Sequence, residues 1–213
     1  ETHPLNPIAP YPWSKYLAEQ VCNLARKKGQ QIITVRLSNM YGPQIYRGTV
    51  IADLIAAIGD SKGILTLRGT GKETRDFIHV DDVTRALVAL SLPYKGPLPG
   101  TDLIELARLS RLRGYATLGR AWDFHVYNIG SGEAFSIRSL AELLIQLMGK
   151  QLKVAPSGVQ SVLDHQNEVP RALDTRRIFE ATGWQPGVTL VEGLQETLKA
   201  VPVKAEVPDG STI

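Results

Sequence analysis

The pattern that most limits what this chain can fold into is an alternation, repeated along its length, of short β-branched apolar runs with amphipathic helical segments. Leu17, Val21, Leu24 and Ala25 recur at helical spacing between about Tyr11 and Lys28, with Pro12 suited to the first turn and Gly29 at the end. Ile32 to Leu37 follows, short and rich in β-branched residues as a buried strand is. After the Gly42-Pro43 break the pattern predicts a helix from about Thr49 to Ile58, a strand from Ile64 to Arg68, a turn at Gly69 to Lys72 and a strand from Phe77 to Val80. Asp81 then stands as N-cap of a helix with Val83, Ala86, Leu87 and Leu90 on its face. Pro93, Pro97, Pro99 and Gly100 break the chain, and residues 92–124 read as an insertion with a short helix over Thr101 to Arg113. Beyond it come a strand near His125 to Ile129, a helix capped by Ser136 and stopped by Gly149, and a strand over Leu152 to Ala155. A helix capped by Asp174 and ended near Gly183 is followed by one opened by a Thr189-x-x-Glu192 capping box. Strands alternating with helices require crossover connections, so the predicted fold class is α/β with a largely parallel sheet.

Composition narrows the function classes. A chain of 213 residues with 43% hydrophobic and 21% charged residues is ordinary for a globular protein of one or two domains, which disfavours disorder. Its single cysteine, Cys22, can form neither an internal disulfide nor a cysteine-rich zinc site, and favours a reducing compartment. The four histidines, His3, His79, His125 and His165, lack ligand spacing, so no metal is expected. A net charge of +3 is too small to argue for nucleic acid or an anionic membrane. Arg108, Arg111, Arg113 and Arg120 are interleaved with Asp102, Glu105 and Asp123, as on a solvated face. No run approaches the roughly 18 consecutive apolar residues of a membrane span, and the first residues carry no signal-peptide pattern. The expectation is a cytoplasmic protein without nucleic-acid or membrane partners.

Few motifs carry chemistry by themselves. Tyr11 and Lys15 are four residues apart, hence on one face of a helix that includes both. A phenol is a poor base at neutral pH, and a neighbouring cation favours the phenolate, although such pairs are also common on ordinary helix surfaces. The glycine-rich turns fail as nucleotide loops. A phosphate loop ending at Gly71-Lys72 needs Ser or Thr where Glu73 stands and Gly where Thr66 stands; dinucleotide fingerprints starting at Gly69 or Gly130 need glycine at Thr74 or Phe135. Both read as turns after strands. Arg75 sits where a planar guanidinium could hold a phosphate, or else could pair with Asp76 or Asp82. His79, beside an apolar run, reads as a hydrogen-bonded structural histidine.

In order, the segments resemble the extended short-chain dehydrogenase/reductase family, specifically the NAD-dependent epimerases and dehydratases of nucleotide sugars. The resemblance rests on Tyr11-x-x-x-Lys15, Arg36-Leu-Ser-Asn39-Met-Tyr41-Gly42-Pro43, Gly69-Thr-Gly71-x-x-x-Arg75-Asp76-Phe77-Ile-His-Val-Asp81 and Tyr127-Asn128-Ile-Gly130, with Gly183-Trp184-Gln-Pro186 near the end. It implies that Tyr11 is the catalytic acid/base and that Lys15 binds the nicotinamide ribose and favours the phenolate. It places Leu37 and Ser38 beside the nicotinamide, Asn39 and Asn128 on the substrate, and Arg75 and Arg171 on its nucleotide diphosphate. The cofactor implied is NAD or NADP, the substrate a nucleotide-diphosphate sugar, and the reaction epimerisation, dehydration or reduction through hydride transfer.

Two departures shape the expectation. The linker over residues 92–124 is longer than the family's, and the glycine-rich loop and catalytic Ser or Thr that precede the tyrosine in such enzymes are not encoded here. The resemblance therefore implies the C-terminal part of a Rossmann-like parallel sheet plus a smaller substrate-binding α/β region. Residues 1–48 are expected to be a remnant of the dinucleotide-binding domain, 49–202 mainly the substrate-binding region with some returning Rossmann elements, and 203–213 a loose tail. Such a chain is expected to be inactive alone and to need a homo-oligomer or a complementing N-terminal half to cover its apolar faces. The alternative is a non-catalytic nucleotide-sugar-binding or interaction module derived from the family. Because no cradle of backbone N–H groups for a pyrophosphate is encoded, calorimetric titration of the 213-residue chain with NAD is expected to show no binding at micromolar concentration. A micromolar affinity would overturn that expectation.

Overall fold

The computed structural model describes residues 7–29, 32–91, 126–157 and 171–200. Among them the order is α1 (Pro10–Lys27), β1 (Thr34–Leu37), β2 (Asn39–Tyr41), α2 (Val50–Asp60), β3 (Ile64–Leu67), β4 (Thr74–Arg75), β5 (Phe77–His79) and α3 (Val80–Ser91). Then come β6 (Val126–Ile129), β7 (Phe135–Ser136), α4 (Ile137–Leu147), β8 (Lys153–Pro156), α5 (Arg176–Thr182) and α6 (Leu190–Ala200). The predicted insertion at 92–124 with its helix, His125 and the tail at 203–213 lie outside the described residues. The fold class is α/β, and the ladders of β1 with β6 and of β3 with β8 are parallel. No helix among the described residues is long and apolar enough to cross a membrane.

The chain passes back and forth between two compact units. One comprises Glu1–Met40, Arg75–Ala134 and Arg171–Gly187, the other Tyr41–Thr74, Phe135–Pro170 and Val188–Ile213.

In the first unit β1 and β6 pair from Thr34↔Val126 to Leu37↔Ile129. Tyr127 and Ile129 of β6 are fully buried with Ile78 of β5, Val83 and Ala86 of α3, Ile178 of α5 and Trp184. Glu19 of α1 takes the Arg36 guanidinium of β1 in a two-point pair, Nη2 to Oε1 at 2.7 Å and Nε to Oε2 at 3.2 Å. The apolar periodicity of α1 is present but its face is not covered: Leu17, Val21 and Leu24 are 56%, 64% and 60% exposed.

In the second unit α4 packs on α2, α6 and β8, burying Leu140, Leu144, Ile51, Ile58 and Leu194. The cap predicted at Ser136 forms, its Oγ accepting from Ser139 N at 3.0 Å; α2 is capped by Thr49, whose Oγ1 accepts from Ala52 N. The capping box of α6 closes both ways, Glu192 N to Thr189 Oγ1 at 3.3 Å and Thr189 N to Glu192 Oε2 at 3.1 Å. The Thr189 hydroxyl, donating to Oε2 at 2.6 Å, and then the Thr189 amide hold the Glu192 carboxyl below its ordinary range.

Two caps differ from expectation. α3 starts at Val80, one residue after β5, so Asp81 lies inside its first turn rather than at the cap. The reason is local. His79 Nδ1 accepts the Asp81 amide at 3.4 Å and takes one of the end N–H groups that a cap side chain serves. Thr175, not Asp174, occupies the N-cap of α5, while Asp174 Oδ1 accepts from Arg176 N at 3.0 Å.

The third residue of α3 locks the first unit's core. Asp82 is fully buried; its Oδ1 pairs with Arg85 and accepts from Gly187 N at 2.9 Å, and its carbonyl accepts from Trp184 Nε1 at 3.1 Å. Asp82→Ala strands the Arg85 cation and the Gly187 N–H and is expected to cost about 3 kcal/mol. Urea unfolding should show a lowered midpoint with an unchanged slope.

Candidate functional site

Parallel strands that end in register deliver their following loops to one edge, and in open α/β sheets that carboxyl edge is where ligands bind. Here β1 and β6 end at the paired Leu37 and Ile129. Ser38 N extends the ladder by one bond to Ile129 O at 2.9 Å. The Ser38 hydroxyl oxygen is buried and has no hydrogen-bond partner among the described residues, whereas the neighbouring Leu37 side chain is 44% exposed. Asn39 turns back toward β5, with both its backbone N and its Nδ2 donating to Asp76 O at 3.0 Å. Asn128, near the end of β6, is buried and donates from Nδ2 to Asp174 O at 3.1 Å. The Asp174 carboxyl is itself held at about 2 by the Arg176 side chain.

Between Asn39 and Arg171 stands a residue that motif reading passed over. Asp76, 4% exposed, follows Arg75 in the chain. Its Oδ1 accepts from Ser131 N at 2.8 Å and Ser131 Oγ at 2.9 Å; its Oδ2 accepts from Gly132 N at 3.1 Å and Leu173 N at 3.0 Å. The glycine turn after β6 is therefore shaped around a carboxylate. A Cβ built on Gly130 falls 2.6 Å from Asp76 Oδ2 and 3.1 Å from Leu173 Cβ, which explains glycine at a place where no phosphate fingerprint is present. Arg75 is half-buried in β4 and Arg171 is exposed, two residues before Leu173. The signal that marks Asp76 in the sequence is an acid immediately before the apolar run Phe77-Ile78, where the chain has no reason to place a charge without partners.

Tyr11 and Lys15 form the other part of the arrangement. Pro10 and Pro12 suit the open first turn of α1, which lacks side-chain capping bonds. Tyr11 is 71% exposed there, and Lys15 Nζ lies over its ring at 5.2 Å from the centroid. The four-residue spacing thus produces contact between phenol and cation. The Glu19–Arg36 pair ties α1 to the strand that ends at Leu37 and Ser38.

The model of the NAD dependent epimerase/dehydratase family matches residues 1–101. The dTDP-glucose 4,6-dehydratase of Streptomyces griseus is 31% identical over 201 residues, spanning 93% of this chain and 51% of the dehydratase. These matches support the extended short-chain dehydrogenase/reductase family as the one this chain resembles. Two solved structures of the family superpose on it. A dTDP-glucose 4,6-dehydratase from Bacillus anthracis in complex with NAD gives a TM-score of 0.66 at 26% identity, covering 94% of this chain and 54% of the other. A UDP-glucose 4-epimerase from Thermotoga maritima with UDP-glucose gives 0.65 at 26% identity, covering 92% and 54%. The chain spans about half the length of the curated relatives it matches.

The close approach of Gly130 to Asp76 has a direct consequence. Gly130→Ala inserts a methyl group against the carboxylate and is expected to destabilise the first unit by about 2 kcal/mol. Denaturant unfolding of the variant beside the parent chain measures this, and equal midpoints would refute the crowding.

Proposed function

We propose that this chain supplies the proton-transfer pair and the substrate-binding segments of an NAD(P)-dependent epimerase or dehydratase that acts on a nucleotide-diphosphate sugar. The observation that carries the reading is the Tyr11–Lys15 contact on the helix tied to β1. In this reading the Tyr11 phenol exchanges a proton with a sugar hydroxyl, and the Lys15 cation stabilises the phenolate that results. The nicotinamide, when bound, supplies the hydride acceptor and donor. The residues at the end of β1 fit such a group: the buried Ser38 hydroxyl has no partner among the described residues and the Leu37 side chain presents apolar surface. Tyr11 and Lys15 hold its ribose, and Leu37 and Ser38 its ring. Asn39 and Asn128, each oriented through an Nδ2 bond to a backbone carbonyl, meet the sugar side. Arg75 and Arg171 take the diphosphate with planar forks that match phosphate oxygens. A pyrophosphate cradle for the cofactor is not encoded in the 213 residues, so turnover is proposed to require a further segment that carries one, and the chain alone to be inactive.

The test is Tyr11→Phe in an assembled, active enzyme. Loss of the phenolic proton is expected to lower turnover by roughly 10²- to 10⁴-fold, while the affinity for the sugar nucleotide stays within about twofold, because the proton is transferred only after the sugar has bound. Turnover near that of the parent enzyme would remove Tyr11 from the acid/base role.

A further inference from the structure

We propose that Asp76 is a positioning residue that sets the distance between Arg75 and Arg171, so that the two guanidiniums engage a diphosphate together rather than a single phosphate separately. The proposal rests on the reading of those arginines given above.

The geometry that carries it is the way one buried carboxylate joins two arginine-bearing segments. Arg75 is covalently next to Asp76. Arg171 lies two residues before Leu173, whose N–H reaches Asp76 Oδ2 across 97 positions of sequence. The same carboxylate holds the turn after β6 through Ser131 and Gly132, and the Asp76 carbonyl holds Asn39. A shift of the 171–173 segment relative to β4 therefore breaks a charge-assisted bond inside the protein, where the carboxylate has no water to replace it.

Asp76 is not placed to act on substrate itself. An ionised carboxylate offers about four acceptor sites, and four donors fill them at 2.8–3.1 Å. Its effect passes through the backbone. Every one of these partners is a donor. Asp76→Asn keeps the side chain's volume but turns one oxygen into an NH₂, which faces either Ser131 or the Gly132 and Leu173 amides donor to donor.

The test uses the 213-residue chain and two probes, UDP with two phosphates and UMP with one, titrated by calorimetry. In the parent chain Arg75→Ala and Arg171→Ala are each expected to weaken UDP binding about tenfold. Asp76→Asn is expected to weaken UDP binding by a similar factor, to leave UMP binding within about twofold, and to abolish the effect of Arg171→Ala when the two are combined. A role in stability alone predicts otherwise: UMP and UDP binding fall equally, or Arg171→Ala still weakens UDP about tenfold in the Asp76→Asn background. Either result overturns the proposal. If Asp76→Asn does not fold, an ester in place of the Ala172–Leu173 amide removes only the Leu173 N–H, and the same pattern across UDP, UMP and Arg171→Ala is required of it. Failure of the parent chain to bind UDP overturns both this proposal and the reading of the arginines. Binding with additive variants overturns this proposal alone.

Discussion

A carboxylate inside a protein is tolerable only when its oxygens are hydrogen-bonded, because the lost hydration of the charge is otherwise far larger than any packing gain. Asp76 meets that requirement with three backbone N–H groups and one hydroxyl, and much of the first unit's local geometry follows from it. Residue 130 has to lack a side chain because Oδ2 occupies the space a Cβ needs. The turn that follows has to direct two successive amides inward. The segment before α5 has to approach close enough for Leu173 to donate. Segments 55 to 97 positions apart in sequence are thereby brought to one group.

Beneath that group lies a conventional apolar core, and the two depend on each other. Ile78, on the strand that follows Asp76, and Tyr127 and Ile129, on the strand that precedes the turn, are almost fully buried together. Their packing keeps β5 and β6 in place, and the carboxylate is itself buried, which strengthens its hydrogen bonds. Asp82, at the start of α3, is a second buried acid: its Oδ1 takes Arg85 and the Gly187 N–H, and its backbone carbonyl takes Trp184 Nε1. The two acids together fix how the last described segment of the first unit lies against β5 and α3. The parallel ladder of β1 and β6 then places Ser38 and the glycine turn at the same carboxyl edge.

Short-range features were legible before any coordinates. The cap at Ser136 and the Thr189–Glu192 box depend on atoms within three residues of each other, and they form as written. The Tyr11–Lys15 contact is of the same kind, since a helix brings residues four apart together. The reading failed where a distant or competing group intervened. Asp81 lost its cap role to the ring of His79, which no spacing rule for caps includes. The periodicity of α1 correctly announced one apolar face, but periodicity states only that a face exists; Leu17, Val21 and Leu24 stand exposed.

By itself, the sequence determined the α/β class, most element boundaries to within a residue or two, the glycine turns and, through motifs in a particular order, a resemblance to the extended short-chain dehydrogenase/reductase family. These rest on local stereochemistry and on the pattern of apolar side chains, which are carried by neighbouring residues. Only the tertiary structure decided that Asp76 joins the chain around Asn39, Arg75, Gly130 and Leu173, and that the Ser38 hydroxyl is buried without a partner among the described residues. Those facts depend on which distant donors meet a given acceptor once water is excluded, and a linear pattern holds no record of that distance.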